Sequence, residues 1–215
     1  VPGTHPAKDI LKQAEGLLPE WTEDSFPGIL LNVAVGRVAN RFDFGGSNYA
    51  IDAACGSSLA ALQACVLELE LGMSDVAVAL AADTVQTPLA YMAFSKTHAL
   101  SPRGRCAPFD AAADGIVLSE GIAAVVLKRL ADAERDGDRI YALIRSVGTS
   151  SDGKGNAIYA PSPPGQMKAL RRAYELAGVT PDTIEMVEAH GSGTKAGDAA
   201  ELSALIEVYN SACRQ

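Results

Sequence analysis

Two short runs constrain this chain most: Asp75 to Ala82 and Ile122 to Leu127 are rich in Val and Ala and show no polar alternation. A strand with one wet face alternates apolar and polar residues, so an unbroken apolar run reads as a strand covered on both faces. Asn48 to Ala53, Ile140 to Val147 and Glu185 to Ala189 are further strand candidates. Helical patterns lie between them. Ile10, Leu11, Ala14, Leu17 and Leu18 recur at helical spacing before Pro19, and Ile29, Leu30, Val33 and Val38 carry an apolar pattern to Phe42 before Gly45 and Gly46 break it. Gly56 to Leu71 predicts a helix that is apolar nearly all round, stops at Gly72 and should be buried. Ser162 ahead of Pro163 caps a helix towards Ala177, Gly178 stops it, and Thr180-Pro181-Asp182 offers another start. Asp198 to Tyr209 predicts a last helix with Leu202, Leu205 and Ile206 on one face. Strands and helices alternate, which predicts an α/β layered architecture.

With 48% hydrophobic residues among 215, the chain can bury a substantial core, which argues against disorder. The formal charge of −8, without a run of basic residues, argues against nucleic acid as a partner. The apolar run Val76 to Ala82 is too short to span a bilayer, so the sequence predicts a soluble chain with no membrane partner. Cys55, Cys65, Cys106 and Cys213 show no C-x-x-C spacing and no adjoining His, so no metal site is predicted and a reduced, cytoplasmic setting fits.

Cys55 lies where a strand turns sharply into the Gly56 to Leu71 helix. Unpaired N–H groups and the positive end of the helix dipole favour negative charge on a sulfur placed there, and the small neighbours Ala54 and Gly56 leave room for a substrate. Cys is also a common buried hydrophobe, so spacing alone leaves a structural role open. His190 likewise follows an apolar strand and precedes a Gly turn, Gly191-Ser192-Gly193. An imidazole there can donate or accept in a cleft, or simply be a hydrogen-bonded histidine at a strand end. Gly191-x-Gly193 completes neither phosphate-loop motif, and no G-x-S-x-G elbow marks a serine nucleophile. His5, near the N-terminus, and His98, in the polar segment Ser95 to His98, are poor candidates for a base.

Taken together, Asp52-Ala53-Ala54-Cys55-Gly56-Ser57-Ser58-Leu59 and Glu188-Ala189-His190-Gly191-Ser192-Gly193-Thr194 resemble the D-T/A-A-C-S/A-S-S-L and E-A-H-G-T-G-T signatures of β-ketoacyl synthases. The blocks between them are similar in order too: Leu100 to Asp110, Ala113-Asp114-Gly115, Val125 to Leu130, then Gly197-Asp198-x-x-Glu201. Phe26 to Gly28, Ala39 to Asp43, Tyr91 to Thr97 and Ser150 to Gly153 look most like the polyunsaturated fatty acid synthase and iterative polyketide synthase branch. Gly56 stands where Ser or Ala is usual, and Ser119-Glu120-Gly121 where the family has G-E-G.

The resemblance implies a thiolase-like α-β-α-β-α layered fold, incomplete at both ends, with residues 1–128 from its N-terminal half and 129–215 from its C-terminal half. Family members extend further both ways, with an upstream lysine, a second histidine in N-I-G-H and a glycine-rich G-F-G-G segment. A central fragment is therefore expected, inactive by itself. The activity implied for the intact domain is acyltransferase: acyl transfer to Cys55, then decarboxylative condensation with a malonyl unit, assisted by His190. Ser192 and Thr194 match positions that bind the phosphopantetheine arm. Gly56 and Glu120 are read as supporting the site, Glu120 through buried hydrogen bonds, and Asp198 and Glu201 as capping and orienting the last helix. Implied partners are acyl carrier protein, other synthase domains of the same polypeptide and a second copy in a homodimer with Asn48 to Ala53 at its edge; no cofactor is bound directly. A coenzyme A-dependent thiolase or chalcone-synthase-like enzyme, a non-catalytic carrier-binding or chain-length module and an inactive remnant stand as alternatives.

Overall fold

The computed structural model describes residues 16, 20, 22–84, 86–155, 157 and 160–212. The helix expected through Ile10 and Leu18, together with His5 and Cys213, lies outside the described residues. The chain divides into two compact units, residues 1–52 and 53–215.

In the first unit a single turn, α1 (Ser25–Gly28), leads into α2 (Leu31–Phe42). Asp43 closes α2 in a left-handed conformation at φ 56°, sending its N–H back to the Ala39 carbonyl. Phe44 then stacks on Phe42, with ring centroids 5.6 Å apart.

The second unit opens with a 3₁₀ turn, Ala54–Gly56, that runs straight into α3 (Ser57–Glu70). Strand β1 (Val76–Asp83) follows, then α4 (Pro88–Lys96), β2 (Gly121–Lys128), α5 (Leu130–Asp136), α6 (Pro163–Ala177), a 3₁₀ turn at Pro181–Thr183 and α7 (Lys195–Ala212). The two strands are the apolar runs expected, paired antiparallel from Val76 opposite Lys128 to Asp83 opposite Gly121. Packing of α3 on β1 leaves Ala79 and Leu69 buried. The other sheet face, with Val78 and Leu80 across from Val126 and Ala124, is open, and Val126 is 71% exposed.

That openness corrects one expectation. Helix α3 is not buried all round, because Leu59 and Leu67 remain exposed beyond the side that meets the sheet. Arg129 fixes its far end. The guanidinium donates to the carbonyls of Leu69 (2.9 Å) and Ser74 (2.7 Å), and pairs with Asp75 (2.7 Å) and Asp132 (2.5 Å). A cation at the carbonyl end of a helix also opposes the dipole favourably.

Three expected strands carry no ladder among the described residues: 48–53, 140–147 and 185–189. An apolar run becomes a strand only when a neighbour completes its hydrogen bonds. Residues 146–150 are held by a helix instead. Ser146 Oγ donates to the Ala173 carbonyl and Ser150 Oγ to that of Gly165, each at 2.6 Å, while Arg172 donates to the Thr149 carbonyl at 2.8 Å. Gly148 allows this approach, since a Cβ there would lie 2.4 Å from the Ala169 carbonyl oxygen.

Helix α6 begins and ends where the sequence predicts. Ser162 Oγ accepts the Gly165 N–H at 3.3 Å, and Gly178 closes the helix at φ 64°. Its partner is α7, with Tyr174 and Tyr209 sharing a hydroxyl hydrogen bond of 2.7 Å. Thr180-Pro181-Asp182 starts only the short 3₁₀ turn, and α7 begins three residues earlier than expected, at Lys195.

Candidate active site

Cys55 is the middle residue of the 3₁₀ turn that leads into α3, and it is exposed. The turn is tied to itself: Ser57 Oγ accepts the Ala53 N–H at 2.9 Å and donates to the Ala54 carbonyl at 2.7 Å. Ala54 is left-handed at φ 48°, a conformation that costs a residue with a Cβ roughly 1–2 kcal/mol. Gly56 is the N-cap of α3 and meets nothing within 4 Å of a Cβ built on it, so the space beside the thiol is open. The other described cysteines differ. Burial, and then the nearby Glu68 carboxylate, push the Cys65 thiol above its usual range. Cys106 is exposed and lies against the histidine turn, with Sγ 4.0 Å from the Ser192 carbonyl oxygen.

His190 is exposed, and its backbone is held from two sides. From α7, Glu201 spreads its two oxygens across the N–H groups of His190 (2.7 Å) and Gly191 (2.9 Å). Asp198, only 6% exposed, accepts the N–H of Gly193 at 3.0 Å on one oxygen and that of Phe109 at 2.7 Å on the other. These two acids clamp the turn to the helix, a tertiary role beyond the capping read from sequence. The second side is the segment from Cys106 to Gly115. A Cβ at Gly191 would meet Pro108 at 3.2 Å, and one at Gly193 would meet the Gly115 carbonyl oxygen at 3.0 Å. Gly115 in turn donates its N–H to the Gly193 carbonyl at 3.0 Å. Both turn glycines are left-handed, at φ 53° and 73°.

The hydroxyls of Ser192 and Thr194 are brought together, 2.9 Å apart, and Thr194 Oγ1 caps α7 by accepting the Gly197 N–H at 3.1 Å. Gly197 makes room for both, because a Cβ there would lie 2.5 Å from Thr194 Oγ1 and 2.6 Å from Ser192 Oγ. Glu120 departs from expectation. It is exposed at the open end of β2, and among the described residues its carboxylate makes no buried hydrogen bond, since the two-stranded sheet has no layer over it there. Among the described residues no group of three or more His, Cys, Asp or Glu could hold a metal, and no helix is long and apolar enough to cross a membrane.

Residues 7–133 match the family profile described as "Beta-ketoacyl synthase, N-terminal domain", and residues 141–215 match "Beta-ketoacyl synthase, C-terminal domain". The chain belongs to the β-ketoacyl synthase family. Among its relatives, a polyunsaturated fatty acid synthase polypeptide of Thraustochytrium sp. is 46% identical over 96% of this chain, which spans 8% of that protein. A phenolphthiocerol/phthiocerol polyketide synthase polypeptide of Mycobacterium tuberculosis is 46% identical over 82% of this chain and 10% of its own length. Two solved structures show the same fold: the ketosynthase from module 6 of the bacillaene synthase of Bacillus subtilis 168 (TM-score 0.83, 40% identity, 86% of this chain and 33% of that one) and the Streptomyces albus JA3453 oxazolomycin ketosynthase domain (TM-score 0.84, 34% identity, 93% and 35%). The fold of this β-ketoacyl synthase chain is therefore thiolase-like, as the motifs implied, and the chain spans about a third of those ketosynthase structures.

Proposed function

We propose that this chain carries the acyl-accepting thiol and one of the condensing histidines of a β-ketoacyl synthase that extends carrier-bound acyl chains in fatty acid or polyketide synthesis. The observation that carries the reading is an exposed cysteine on a strained helix-start turn, in one chain with an exposed histidine on a carboxylate-clamped turn, both within matched family segments.

Cys55 sulfur attacks the acyl thioester on the phosphopantetheine arm of an acyl carrier protein; the new C–S bond forms as the carrier thiol leaves with a proton. The malonyl unit then loses its carboxyl group as carbon dioxide. The electron pair of that C–C bond becomes an enolate, whose carbon attacks the Cys55 thioester and expels the thiolate. Negative charge gathers on oxygen, where His190 donates a hydrogen bond, and the Cys55 N–H is the donor for the acyl oxygen. Ser192 and Thr194 hold the pantetheine arm, and Gly56 leaves the thiol approachable. The partners are acyl carrier protein, neighbouring synthase domains and a second copy of the chain, in a cytoplasmic setting.

The test uses the full-length protein. Incubation with an acyl carrier thioester should leave the acyl group on Cys55, located by peptide mass spectrometry, and Cys55→Ala should abolish it. His190→Ala should still load acyl but release little carbon dioxide from malonyl carrier. An acyl group on Cys65 or Cys106, with Cys55 untouched, would sink the reading.

A further inference from the structure

Four non-glycine residues among those described have a left-handed backbone: Asp43, Ala54, His98 and Phe109. Two of them close helices, a common place for that conformation. Asp43 is the C-cap of α2, and His98 follows Thr97, the C-cap of α4, with its N–H on the Ser95 carbonyl. The other two belong to the candidate active site. Ala54 precedes the nucleophile, and Phe109, at φ 58°, lies against the histidine turn without ending any helix. A large side chain keeps a positive φ only where its surroundings over-determine it, and such residues gather at functional sites.

The surroundings of Phe109 do over-determine it. Its N–H is fixed at 2.7 Å by the buried Asp198 carboxylate, whose other oxygen takes the Gly193 N–H. Its ring edge lies 3.6 Å from where a Gly191 Cβ would stand, beside Pro108 at 3.2 Å. Further back along the segment, Ala107 N and Cys106 Sγ stand 3.5 and 3.4 Å from the corresponding point on Gly193. Cys106 to Phe109 thus lies as a strap along the two glycines that follow His190, and Asp198 pins strap and turn to α7 together. Phe109 is 46% exposed, so core burial does not account for the strained conformation.

We infer that Phe109 is a positioning residue for His190: its left-handed backbone and ring press the Cys106 to Phe109 strap onto Gly191 and so set the direction of the imidazole. The inference rests on the condensing role proposed for His190. A relaxed backbone at 109 loosens the turn on the side away from Glu201, and small misplacements of a catalytic group are costly in rate.

The test compares Phe109→Gly and Phe109→Leu in the full-length protein, following acyl loading on Cys55, carbon dioxide release from malonyl carrier, melting temperature and amide hydrogen exchange at Gly193. Glycine adopts the left-handed conformation freely and removes the ring. Phe109→Gly should melt no lower than the parent and load acyl at the parent rate, yet release carbon dioxide roughly 10- to 100-fold more slowly, with faster exchange at Gly193. Phe109→Leu, which keeps a Cβ and apolar bulk, should fall between, and it carries the test if the glycine variant does not fold. Release within twofold of the parent, or a loss shared equally by loading and melting temperature, overturns the inference. His190→Ala in parallel separates the two ideas. If that variant decarboxylates normally, the functional reading fails, and exchange at Gly193 still decides whether Phe109 holds the turn.

Discussion

The Cys55 turn is tied by hydrogen bonds that reach three or four residues along the chain, two at the Ser57 hydroxyl and one from the Gly56 N–H to the Ala53 carbonyl, whereas the His190 turn is held by carboxylates on α7 and by a distant segment in which Cys106 lies 86 positions from Ser192 and Gly115 donates to Gly193. The contrast separates two ways of building a site. A local turn can form as soon as α3 does, and its exposed side chains tolerate change. A clamped turn depends on two acids and on a distant strap, so its geometry is exact only when the whole unit is folded. The cysteine side is therefore the robust one, and the histidine side the one that mutations at distant positions should damage.

The largest break in that comparison should come from Asp198→Ala. Two N–H groups lose a buried charged acceptor, and an unpaired buried donor costs about 1–3 kcal/mol, so a loss of about 3 kcal/mol in unfolding free energy is expected. Chemical denaturation measures it. Alkylation of Cys55 under native conditions should proceed at the parent rate, and equal damage to both turns would show that they are not held independently.

Gly197→Ala is the next largest. The new methyl would stand 2.5–2.6 Å from the two hydroxyl oxygens of Thr194 and Ser192, which must turn away. If these hydroxyls hold the pantetheine arm, KM for the carrier substrate should rise about tenfold, the equivalent of about 1.4 kcal/mol, with kcat for loading less affected. A change in kcat alone would detach Ser192 and Thr194 from substrate binding.

A smaller effect of opposite sign is expected at Ala54. Relief of the left-handed strain gains roughly 1–2 kcal/mol, and the extra freedom of glycine in the unfolded chain costs roughly 0.5–1, so Ala54→Gly should stabilise by about 0.5–1 kcal/mol. Thermal melting of the variant measures it. A destabilised variant would mean that the Ala54 methyl packs into the turn and that the local side is less self-sufficient than Ser57 makes it look.

The same divide governs how much could be read from residues alone. The strands at 76–83 and 121–128 and the caps at Ser162 and Gly178 are local signals, and each was legible within two residues. Helix α4 was not among the expected elements, although Thr87 ahead of Pro88 is a cap signal, and Thr87 Oγ1 accepts the Ala90 N–H at 3.3 Å. The runs at 48–53, 140–147 and 185–189 look like strands because apolar content reports burial, but a ladder needs a partner that no local pattern supplies. Asp198 and Glu201 were visible as acids early in a helix, where a cap and a clamp have the same spelling; only their hydrogen bonds to Phe109, Gly193, His190 and Gly191 tell them apart. Nothing in Pro108-Phe109-Asp110 signals a positive φ, since phenylalanine has no preference for it. The buried role expected of Glu120 came by resemblance alone, and among the described residues the side chain is exposed.

The smallest expected effect sharpens the comparison from the cysteine side. Gly56 stands where related signatures carry Ser or Ala, and its backbone, at φ −89° and ψ 1°, needs no glycine. A Cβ added there meets nothing within 4 Å, so neither clash nor strain opposes a side chain. Gly56 is also the N-cap of α3, where Ser is preferred over Gly by a few tenths of a kcal/mol through a bond to an unpaired N–H of the first turn. Gly56→Ser should therefore change stability by less than about 0.5 kcal/mol, towards stabilisation, and leave the rate of Cys55 alkylation within about twofold. Paired denaturation curves and timed labelling of parent and variant check both numbers. A loss of more than about 1 kcal/mol would mean that the space beside Cys55 is filled in the full-length protein, and the cysteine turn would then belong, like the histidine turn, to the part of the molecule that distant segments hold.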